Sequence, residues 1–477
     1  MTPAQRLLAR LLARQPHDSQ RRSTGPSLRR CLGIPGLIAV GLGTMLGGIF
    51  TTIGSGALTA GPGVIVSFLL SGLACVFVSL CYAELASMVP IAGSAYTYAY
   101  ATLGEFVAWV IGWDLILEYG ISVAPTAAAW SGYAQAYLQN FGVVLPAWAK
   151  VASVAHDGWR IDFAHSQVDL FAIVVVLAIT GLLAVGIRES ASTNSSLVAV
   201  QVFSMIVFVV ALFGAIHPGN FRPVFPTGWH GVVAGAALVF FAYIGFDTVT
   251  VASEEARRPE RDVPYAVVGS LAIGAVLYVA IACVTVGVVP WAHIDKDAGM
   301  ADAVRRAGNN PWVNNIVTAG AIAGTTTVMI TSLLGQIRIF YVMARDRMLP
   351  AFVASVNART RTPIASTIVT GMLVAFLSGV VPLDVLLSLV NIGTLSAFAI
   401  VCAGMFALRY TQPGAKRPFR APFGRAVALA GVALCLYLMT GLDGRTWLRF
   451  VGWFAVGMAI YAAYGFRHSL LRPSDGA

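Results

Sequence analysis

The sequence predicts an all-α polytopic membrane protein. Only 11% of its 477 residues are charged and 57% are hydrophobic, whereas about a quarter of the residues in a soluble domain are charged. Apolar stretches of about 20 residues, long enough to cross about 30 Å of hydrocarbon, recur from residue 33 to near the C-terminus. Most of the 31 Lys and Arg residues fall in alternate connecting segments, which is typical of the cytoplasmic loops of a membrane protein.

We predict twelve membrane-spanning helices from these stretches. Their approximate limits are residues 33–59, 63–88, 95–138, 168–187, 192–216, 229–256, 264–291, 313–344, 364–380, 383–410, 426–442 and 447–468. The charge pattern indicates a cytoplasmic N-terminus, and an even number of spans returns the C-terminus to the same side. We therefore expect a multi-pass protein of the cell inner (plasma) membrane with both termini in the cytoplasm.

One membrane domain accounts for most of the chain. Residues 1–32 carry seven Arg residues and no long apolar core, so we interpret them as a basic cytoplasmic tail rather than a cleavable signal peptide. This tail could set the topology or contact acidic lipids. We expect a ten-helix core at 33–410, a cytoplasmic loop at 411–425, helices 11 and 12 at 426–468, and a cytoplasmic C-terminus at 469–477.

Several function classes lack support in the sequence. It contains no phosphate-binding loop of the type Gly-x-x-x-x-Gly-Lys-Ser/Thr, and its cysteines and histidines do not have the spacing of a metal site. No nucleophile and base stand in an arrangement typical of catalysis. We therefore expect neither an enzyme nor a cofactor or metal. The net charge of +10 is explained by the cytoplasmic loops, so it does not indicate a nucleic acid partner.

Two predicted spans contain interruptions. The first span has a cluster of glycines between Gly41 and Gly48, and the sixth has the sequence FFAYIGFD at residues 240–247. Each glycine lowers helix stability by ~1 kcal/mol, although small residues also allow helices to pack closely. The first and sixth spans occupy corresponding places in two five-span halves, and paired broken helices of this kind indicate a transporter binding site.

A broken helix offers partners to both charged groups of an amino acid. The N-terminus of its second half suits a carboxylate, and the last carbonyls of its first half suit an ammonium group. Glycines would let the ligand approach the backbone. In the first interruption we expect substrate to bind at Thr44, Met45, Gly47, Gly48 and Ile49. In the second we expect it to bind at Phe241, Ala242, Tyr243 and Ile244. Phe50, Tyr243 and Phe246 could close over the ligand and exclude water.

Ionisable residues inside the predicted spans form a second set of candidates. Asp114 and Glu118 are four residues apart and share one helix face. A charge at the bilayer centre costs ~3 kcal/mol or more, so such residues usually face a cavity or a partner. We predict that Glu118 binds substrate, whereas Asp114 and Asp247 could cap the interrupted segments. Near the cytoplasmic ends, we expect Glu84 and the pair at 254–255 to contact loop arginines.

The motifs in their order resemble the amino acid–polyamine–organocation superfamily, and within it the bacterial cationic amino acid transporter family. The likeness covers roughly residues 30–470. The motifs that carry it include GGIF at 47–50, YAEL at 82–85, GWDLILEY at 112–119, FFAYIGFD at 240–247 and RPFR at 417–420. The resemblance implies a LeuT-like fold of two inverted five-helix repeats with two additional C-terminal helices. It also implies alternating access and a substrate held by broken helices 1 and 6.

The resemblance adds Ser332 to the candidate substrate-binding residues, because it implies that helix 8 lines the pocket. A small side chain there leaves room for a medium-sized or cationic amino acid, with Glu118 as a nearby negative charge. The alternative is that the Ser332 hydroxyl bonds its own helix. The run at 47–50 is one residue shorter than the family's usual Gly-x-Gly-Ile-Phe, so the register of the contacts in the first span is open.

The sequence does not decide whether transport is coupled to protons. Proton-coupled relatives have a lysine in helix 5 at a position that corresponds to Gln201, and an amide cannot exchange a proton there. We assign Phe50, Gln201, Phe246 and Asp247 to gating or coupling. The protein is then a uniporter or exchanger, or a symporter in which Glu118 or Asp247 takes the proton.

We therefore predict a secondary transporter of amino acids, with a cationic amino acid as one candidate substrate and the proton as a candidate co-substrate. The alternative from a different class is a membrane sensor or receptor that binds amino acids without moving them. The sequence does not identify the amino acid, a sodium requirement or the oligomeric state.

Overall fold

The computed structural model describes residues 32–88, 94–144, 146, 153–157, 160–186, 191–308, 310–355, 357 and 362–469. The predicted basic tail lies outside these residues except for Leu32, and so does most of the predicted C-terminal segment. The segment 187–190, which precedes the helix that carries Gln201, also lies outside them.

The described residues in the first third of the chain form six α-helices. They are α1 (Ile34–Met45), α2 (Gly47–Ala60), α3 (Val64–Met88), α4 (Ser94–Thr102), α5 (Glu105–Leu115) and α6 (Val123–Gln139). A single residue, Leu46, separates α1 from α2, and a π-helical turn at Ile116–Ile121 joins α5 to α6. The predicted span at 95–138 is therefore divided. Gly104, with φ of 106°, separates the short helix α4 from the long segment that follows.

A two-stranded antiparallel sheet follows α6. Strand β1 (Ser153–Asp157) pairs with β2 (Arg160–Gln167). The sequence analysis predicted helices only, and this hairpin differs from that expectation. It lies in the long polar segment between the third and fourth predicted spans, where the backbone can reach water and an open sheet edge is tolerated.

Twelve further α-helices follow in the later part of the chain, again counted over the residues that the structure describes. They are α7 (Leu170–Val185), α8 (Ala191–Leu212), α9 (Gly228–Val239), α10 (Thr248–Val251), α11 (Pro259–Val288), α12 (Gly299–Arg306), α13 (Pro311–Arg345), α14 (Ile364–Val380), α15 (Leu383–Thr411), α16 (Arg425–Met439), α17 (Gly444–Ile460) and α18 (Phe466–His468). A 3₁₀ turn at Phe240–Tyr243 follows α9, and a π-helical turn at Tyr461–Gly465 joins α17 to α18.

The described helices confirm a polytopic membrane protein. Eight helical segments are long and apolar enough to cross a membrane, and three shorter apolar helices accompany them, namely α7, α14 and α16. The first of the eight segments, Ile34–Met88, contains the first two predicted spans. The number of twelve crossings stays a prediction.

Apolar residues lie both inside the protein and on its outer surface. In α3, Phe68, Cys75 and Tyr82 are fully buried, whereas Leu69 and Leu73 on the opposite face are about half exposed. A helix that is apolar all round is typical of a membrane span. The exposed face is therefore suited to lipid, and the buried face packs against α11, α15 and α16.

The predicted cytoplasmic ends of α3 and α15 are joined by a buried cluster of charges. Glu84 accepts hydrogen bonds from both Nε and Nη2 of Arg409. Nε of Arg417 lies 3.2 Å from Oε1 of Glu84. The backbone N–H of Ala421 also donates to Glu84 at 2.8 Å. The sequence predicted that Glu84 contacts loop arginines, and the structure shows those contacts.

On the opposite face, residues 289–308 form a segment that we name the outer cap; it contains α12. Lys296 Nζ lies 2.7 Å from Asp384 Oδ1 at the start of α15. The backbone N–H of Met300 donates to the hydroxyl of Tyr133 in α6 at 3.3 Å. A Cβ on Gly54 of α2 would lie 2.3 Å from the carbonyl oxygen of Lys296, so the cap also contacts the backbone of α2.

Candidate substrate site

The interruption between α9 and α10 is the larger of the two. After the 3₁₀ turn at Phe240–Tyr243, Ile244 is extended, with φ of −61° and ψ of 135°, and Gly245 has φ of 112°. Only glycine adopts that φ readily, so the predicted role of this glycine in breaking the helix has a clear backbone cause. The helix resumes at Thr248, whose N–H donates to the Gly245 carbonyl at 3.1 Å.

The interruption between α1 and α2 is shorter. Leu46 keeps right-handed helical dihedrals, and its N–H still donates to the Leu42 carbonyl at 2.9 Å. The glycines that follow it face two different neighbours. A Cβ on Gly47 would lie 2.5 Å from a Val328 methyl group in α13, and a Cβ on Gly48 would lie 2.6 Å from Ala242 Cα. The glycines are therefore needed for close packing between the helices, and their predicted role in the approach of a ligand stays a prediction.

Thr44 links the two interruptions. Its hydroxyl lies 2.8 Å from the Gly245 carbonyl oxygen and 2.8 Å from the Thr248 hydroxyl. Together with the contact between Gly48 and Ala242, these hydrogen bonds join the middle of the first broken helix to the middle of the second. The two interruptions therefore form one polar centre.

Two residues that the sequence analysis did not select stabilise this centre. The hydroxyl of Tyr278 in α11 lies 2.8 Å from the Met45 carbonyl oxygen and 2.7 Å from that of Ala242, which gives it an acceptor in each broken helix. In α15, Nδ2 of Asn391 donates to the carbonyls of Ala237 and Leu238 near the end of α9. Part of the carbonyl surface expected to bind an ammonium group is thus already occupied by a tyrosine.

The π-helical turn at Ile116–Ile121 brings two adjacent side chains to the same centre. The hydroxyl of Tyr119 donates to Asp247 Oδ2 at 2.6 Å. Glu118 is 2% exposed, and within the described residues neither of its carboxylate oxygens has a hydrogen-bond partner. A π-helical turn is frequently found at functional sites, and here it presents a buried acceptor that the protein leaves unused.

A small cavity lies between the two interruptions and α13. Six of the predicted substrate-binding residues line it, namely Thr44, Gly48, Glu118, Phe241, Ile244 and Ser332. Five residues without a prediction also line it, namely Tyr119, Ser122, Gly245, Thr248 and Val328. Its volume is about 20 Å³, enough for about one water molecule. An amino acid can therefore bind only if the walls move apart.

Other predicted residues lie near the cavity without lining it. Tyr243 is fully buried, and its hydroxyl donates to the Phe68 carbonyl at 2.9 Å, which directs it towards α3. The Phe50 ring packs against Tyr133 with centroids 5.5 Å apart, and the Phe246 ring packs against Phe398 at 5.4 Å. Besides Tyr243, four predicted substrate-binding residues do not line the cavity, namely Met45, Gly47, Ile49 and Ala242.

Gln201 lies on α8, away from the cavity. It is fully buried against α13, and a Cβ on Gly324 would lie 2.3 Å from its Nε2 atom. Within the described residues, neither atom of its amide group has a hydrogen-bond partner. Because Gly47 packs against the Gly324 carbonyl, Gln201 is connected to the first broken helix through α13.

A second, larger cavity of about 220 Å³ lies beneath the outer cap. The acidic residues that line it are Asp169, Asp295 and Asp297, and Arg305 lies among them. Burial and the neighbouring Asp295 carboxylate raise the pKa of Asp297 to about 6, although Lys296 opposes the shift. This side of the protein therefore carries a carboxyl group that titrates near neutral pH.

Comparison with known proteins identifies the family of the chain. Residues 32–462 match the family model described as amino acid permease. The chain is 41% identical to the branched-chain amino acid permease of Bacillus subtilis, over 93% of this chain and 95% of that protein. It is 40% identical to the methylthioribose transporter of the same organism, over 94% of this chain and 96% of that protein.

More distant relatives include transporters for cationic amino acids. The chain is 37% identical to the vacuolar cationic amino acid transporter 4 of Arabidopsis thaliana, over 82% of this chain and 65% of that protein. The family and these relatives are transporters and not enzymes, as the sequence analysis predicted. The predicted superfamily is confirmed: the chain belongs to the amino acid permease family of the amino acid–polyamine–organocation superfamily.

Proposed function

We propose that the protein is a secondary transporter that moves an amino acid across the inner membrane by alternating access. The observation that carries the proposal is the closed cavity between the two interrupted helices, with the unpartnered Glu118 carboxylate in its wall. A buried acceptor without a donor is unfavourable in an empty site. A ligand with an N–H group supplies the missing donor.

The architecture that we propose has twelve membrane helices with both termini in the cytoplasm. The ten-helix core consists of two inverted five-helix repeats, in which α1–α2 and α9–α10 are the corresponding broken helices. The two additional helices that follow the core are α16 and α17. The contact between the two interruptions, 201 residues apart at Thr44 and Gly245, supports a site at the interface between the repeats.

The cavity suggests how an amino acid would bind. The N–H groups at the start of α2, near Gly48, would receive the carboxylate. Backbone carbonyls near Phe241 and Ile244 would receive the ammonium group, while Tyr278 holds the Ala242 carbonyl in place. The side chain would extend towards Ser332 and Val328 of α13. Within the described residues the Ser332 hydroxyl makes no hydrogen bond to its own helix, which favours a role in the pocket.

Glu118 makes a cationic amino acid such as arginine the first substrate to test. The relatives supply two other candidates. A branched-chain amino acid would use the apolar wall formed by Phe241, Ile244 and Val328. The 40% identity to a methylthioribose transporter makes a neutral sugar-like substrate the second candidate function, and its hydroxyl groups could donate to Glu118.

Uptake into proteoliposomes tests the proposal. Purified protein is reconstituted and incubated with labelled arginine, leucine, glycine and methylthioribose, and empty liposomes serve as the control. We expect one of the amino acids to accumulate with saturable kinetics. Uptake of methylthioribose alone would favour the second candidate, and binding without uptake of any compound would favour a membrane sensor.

The width of the pocket is tested by Ser332→Leu. The larger side chain would fill the space next to Val328, so we expect transport of arginine and leucine to fall by more than tenfold while glycine is less affected. Thr326→Leu is the matched control, because Thr326 lies on the same helix and contacts Trp130 instead. Equal loss in both variants would argue against Ser332 as a wall of the site.

Coupling needs its own experiment because Gln201 cannot carry a proton. We propose a uniporter or exchanger in which Gln201 is a neutral link between α8 and the first broken helix. Substrate uptake is measured in vesicles with a pH gradient of either sign at zero membrane potential. This measurement distinguishes a uniporter or exchanger from a symporter. Accumulation above equilibrium that follows the proton inwards would indicate a symporter, with Glu118 or Asp247 as the group that takes the proton.

A further inference from the structure

Three carboxyl side chains lie together at the cavity and just below it. Asp114 and Asp247 are fully buried, and Glu118 is 2% exposed. Glu118 is close enough to both of the others to interact with them electrostatically. Asp114 is one helical turn, or about 6 Å, nearer to the predicted cytoplasmic end than Glu118. Glu118 and Asp114 thus extend from the substrate cavity towards the predicted cytoplasmic end of this helix.

The known neighbours of Glu118 and Asp114 other than carboxyl groups are neutral. Tyr119 donates to Asp247 at 2.6 Å, the Ser396 hydroxyl of α15 lies beside Asp114, and Tyr82 of α3 is near Tyr119. From α13, Ser332 lines the same cavity. No Lys, Arg or His is among the cavity-lining residues, nor among the charged neighbours of Glu118, in the part of the chain that the structure describes.

Three ionised carboxylates in this position would be strongly unfavourable. Each would lose its hydration, and each would repel the other two across a medium of low dielectric constant. Charged groups inside a membrane are tolerated when they pair with an opposite charge or exchange a proton. Because the described residues place no cation in the cavity lining or among the charged neighbours of Glu118, the positive charge that compensates Glu118 has to come from a proton or from a ligand.

We propose that Glu118 and Asp114 hold a proton when the site is empty and release it when the cationic group of a substrate binds at Glu118. The inference rests on the proposed function and names the chemistry of the same site. The O–H bond of the Glu118 carboxyl breaks, and the proton leaves for the aqueous solution on the side from which the substrate enters, by way of Asp114 where that side is the cytoplasm. The ligand keeps all of its own protons, so one positive charge replaces another and the net charge of the site is unchanged.

This exchange has a direction that can be measured. Proton and cationic substrate compete for the same carboxyl group, so lowering the pH should weaken binding of arginine. A zwitterionic amino acid such as leucine has no second cationic group, and its binding should leave the proton in place. The two substrates should therefore differ in their pH dependence. Glu118 then takes a proton back on the side where arginine is released, so arginine and the proton move in opposite directions. Of the two mechanisms proposed above, this is the exchanger and not the uniporter.

The test measures proton release on binding. Full-length protein in detergent is placed in a weakly buffered solution with a pH indicator, and arginine or leucine is added at saturating concentration. We expect close to one proton released per bound arginine and close to none per bound leucine. Arginine that binds without proton release, equal release by both amino acids, or binding of leucine alone would overturn the inference. Binding of neither would also overturn the inference, whereas the proposed function fails only if no amino acid is taken up by the proteoliposomes.

Conservative variants identify the group. Glu118→Gln keeps the shape but cannot form the ion pair, so arginine affinity should fall by about tenfold or more while leucine still binds. Proton release should disappear in that variant, and should be reduced in Asp114→Asn. The matched control is Asp443→Asn, an exposed residue at the start of α17, where release should be unchanged. A Glu118→Gln protein that still releases a proton with arginine would contradict the assignment.

Discussion

At the scale of single residues, Thr44 illustrates how a predicted ligand can have a different partner. The sequence suggested that its hydroxyl binds substrate. In the structure that hydroxyl is within 2.8 Å of both the Gly245 carbonyl oxygen and the Thr248 hydroxyl. It also lies 3.0 Å from the Gly41 carbonyl oxygen of its own helix. The hydroxyl therefore joins the two broken helices, although Thr44 also lines the cavity.

Replacement of this hydroxyl tests whether it joins helices or binds substrate. Thr44→Val removes hydrogen bonds worth about 1 kcal/mol each, so we expect substrate turnover to fall by about 5- to 10-fold. The dissociation constant for substrate should stay within about twofold, since substrate does not use the hydroxyl. Thr44→Ser, which keeps the hydroxyl, is the control for both measurements. A large loss of affinity in Thr44→Val with normal turnover at saturation would instead assign the hydroxyl to the ligand.

Neighbouring residues in the second interruption show what the sequence could not decide. Phe241 and Ile244 line the cavity, whereas Tyr243 points to the Phe68 carbonyl and Phe246 packs on Phe398. All four were candidates, because residues in an irregular segment have no fixed periodicity to predict which side they face. The 3₁₀ turn and the positive φ at Gly245 determine the directions, and neither can be derived from composition.

At the scale of elements, the outer cap connects parts of the molecule that lie far apart in sequence. It contacts α2 at Gly54, α6 at Tyr133 and α15 at Asp384. It closes the face of the protein above the substrate site, where the Phe50 ring also packs on Tyr133. Opening of that face requires the cap to separate from at least one of these helices.

The raised pKa of Asp297 in the cap predicts a pH-dependent stability. Its pKa is about 6 in the folded protein, above its ordinary value of 3.8, so the fold favours the protonated form. Stability should therefore fall as the pH rises from about 4 to about 6 and remain lower above that range. Asp297→Asn removes this cost, and we expect thermal unfolding in detergent at pH 7.5 to shift upwards by about 1–2 °C.

The comparison at low pH is the control for this variant. At about pH 4 the wild-type carboxyl is protonated in the folded protein, so Asp297→Asn and wild type should unfold at the same temperature. A variant that is less stable than wild type at pH 7.5 would mean that the interaction of Asp297 with Lys296 outweighs its burial.

At the scale of the whole molecule, the sequence predicted the order of the helices well. The length and apolarity of the segments determine where helices can form in a membrane, and the glycines at 47–48 and 245 marked both interruptions. The roles of Tyr278, Asn391 and the outer cap were not predicted. Each depends on contacts between helices that are distant in sequence, and nothing local distinguishes a tyrosine that bridges two carbonyls from one that faces lipid.

The topology of the whole chain can be tested with reporter fusions. The distribution of Lys and Arg indicates that both ends of the chain are cytoplasmic. A reporter enzyme that is active only in the periplasm should be inactive when fused after residue 469, and active when fused at residue 146 in the segment before the hairpin. Activity at the C-terminal fusion would reverse the assignment of inner and outer faces, and the outer cap would then face the cytoplasm.

The contact between Gly48 and Ala242 has a consequence for how such a sequence can diverge. A Cβ on Gly48 would lie 2.6 Å from Ala242 Cα, so a larger residue at either position leaves no room for the other helix. A chain can accept an alanine at 48 only if the second broken helix withdraws. We therefore expect related sequences with a residue other than glycine at 48 to have changes at 241–245 as well, so that substrate preference drifts through paired replacements in the two halves of the gene.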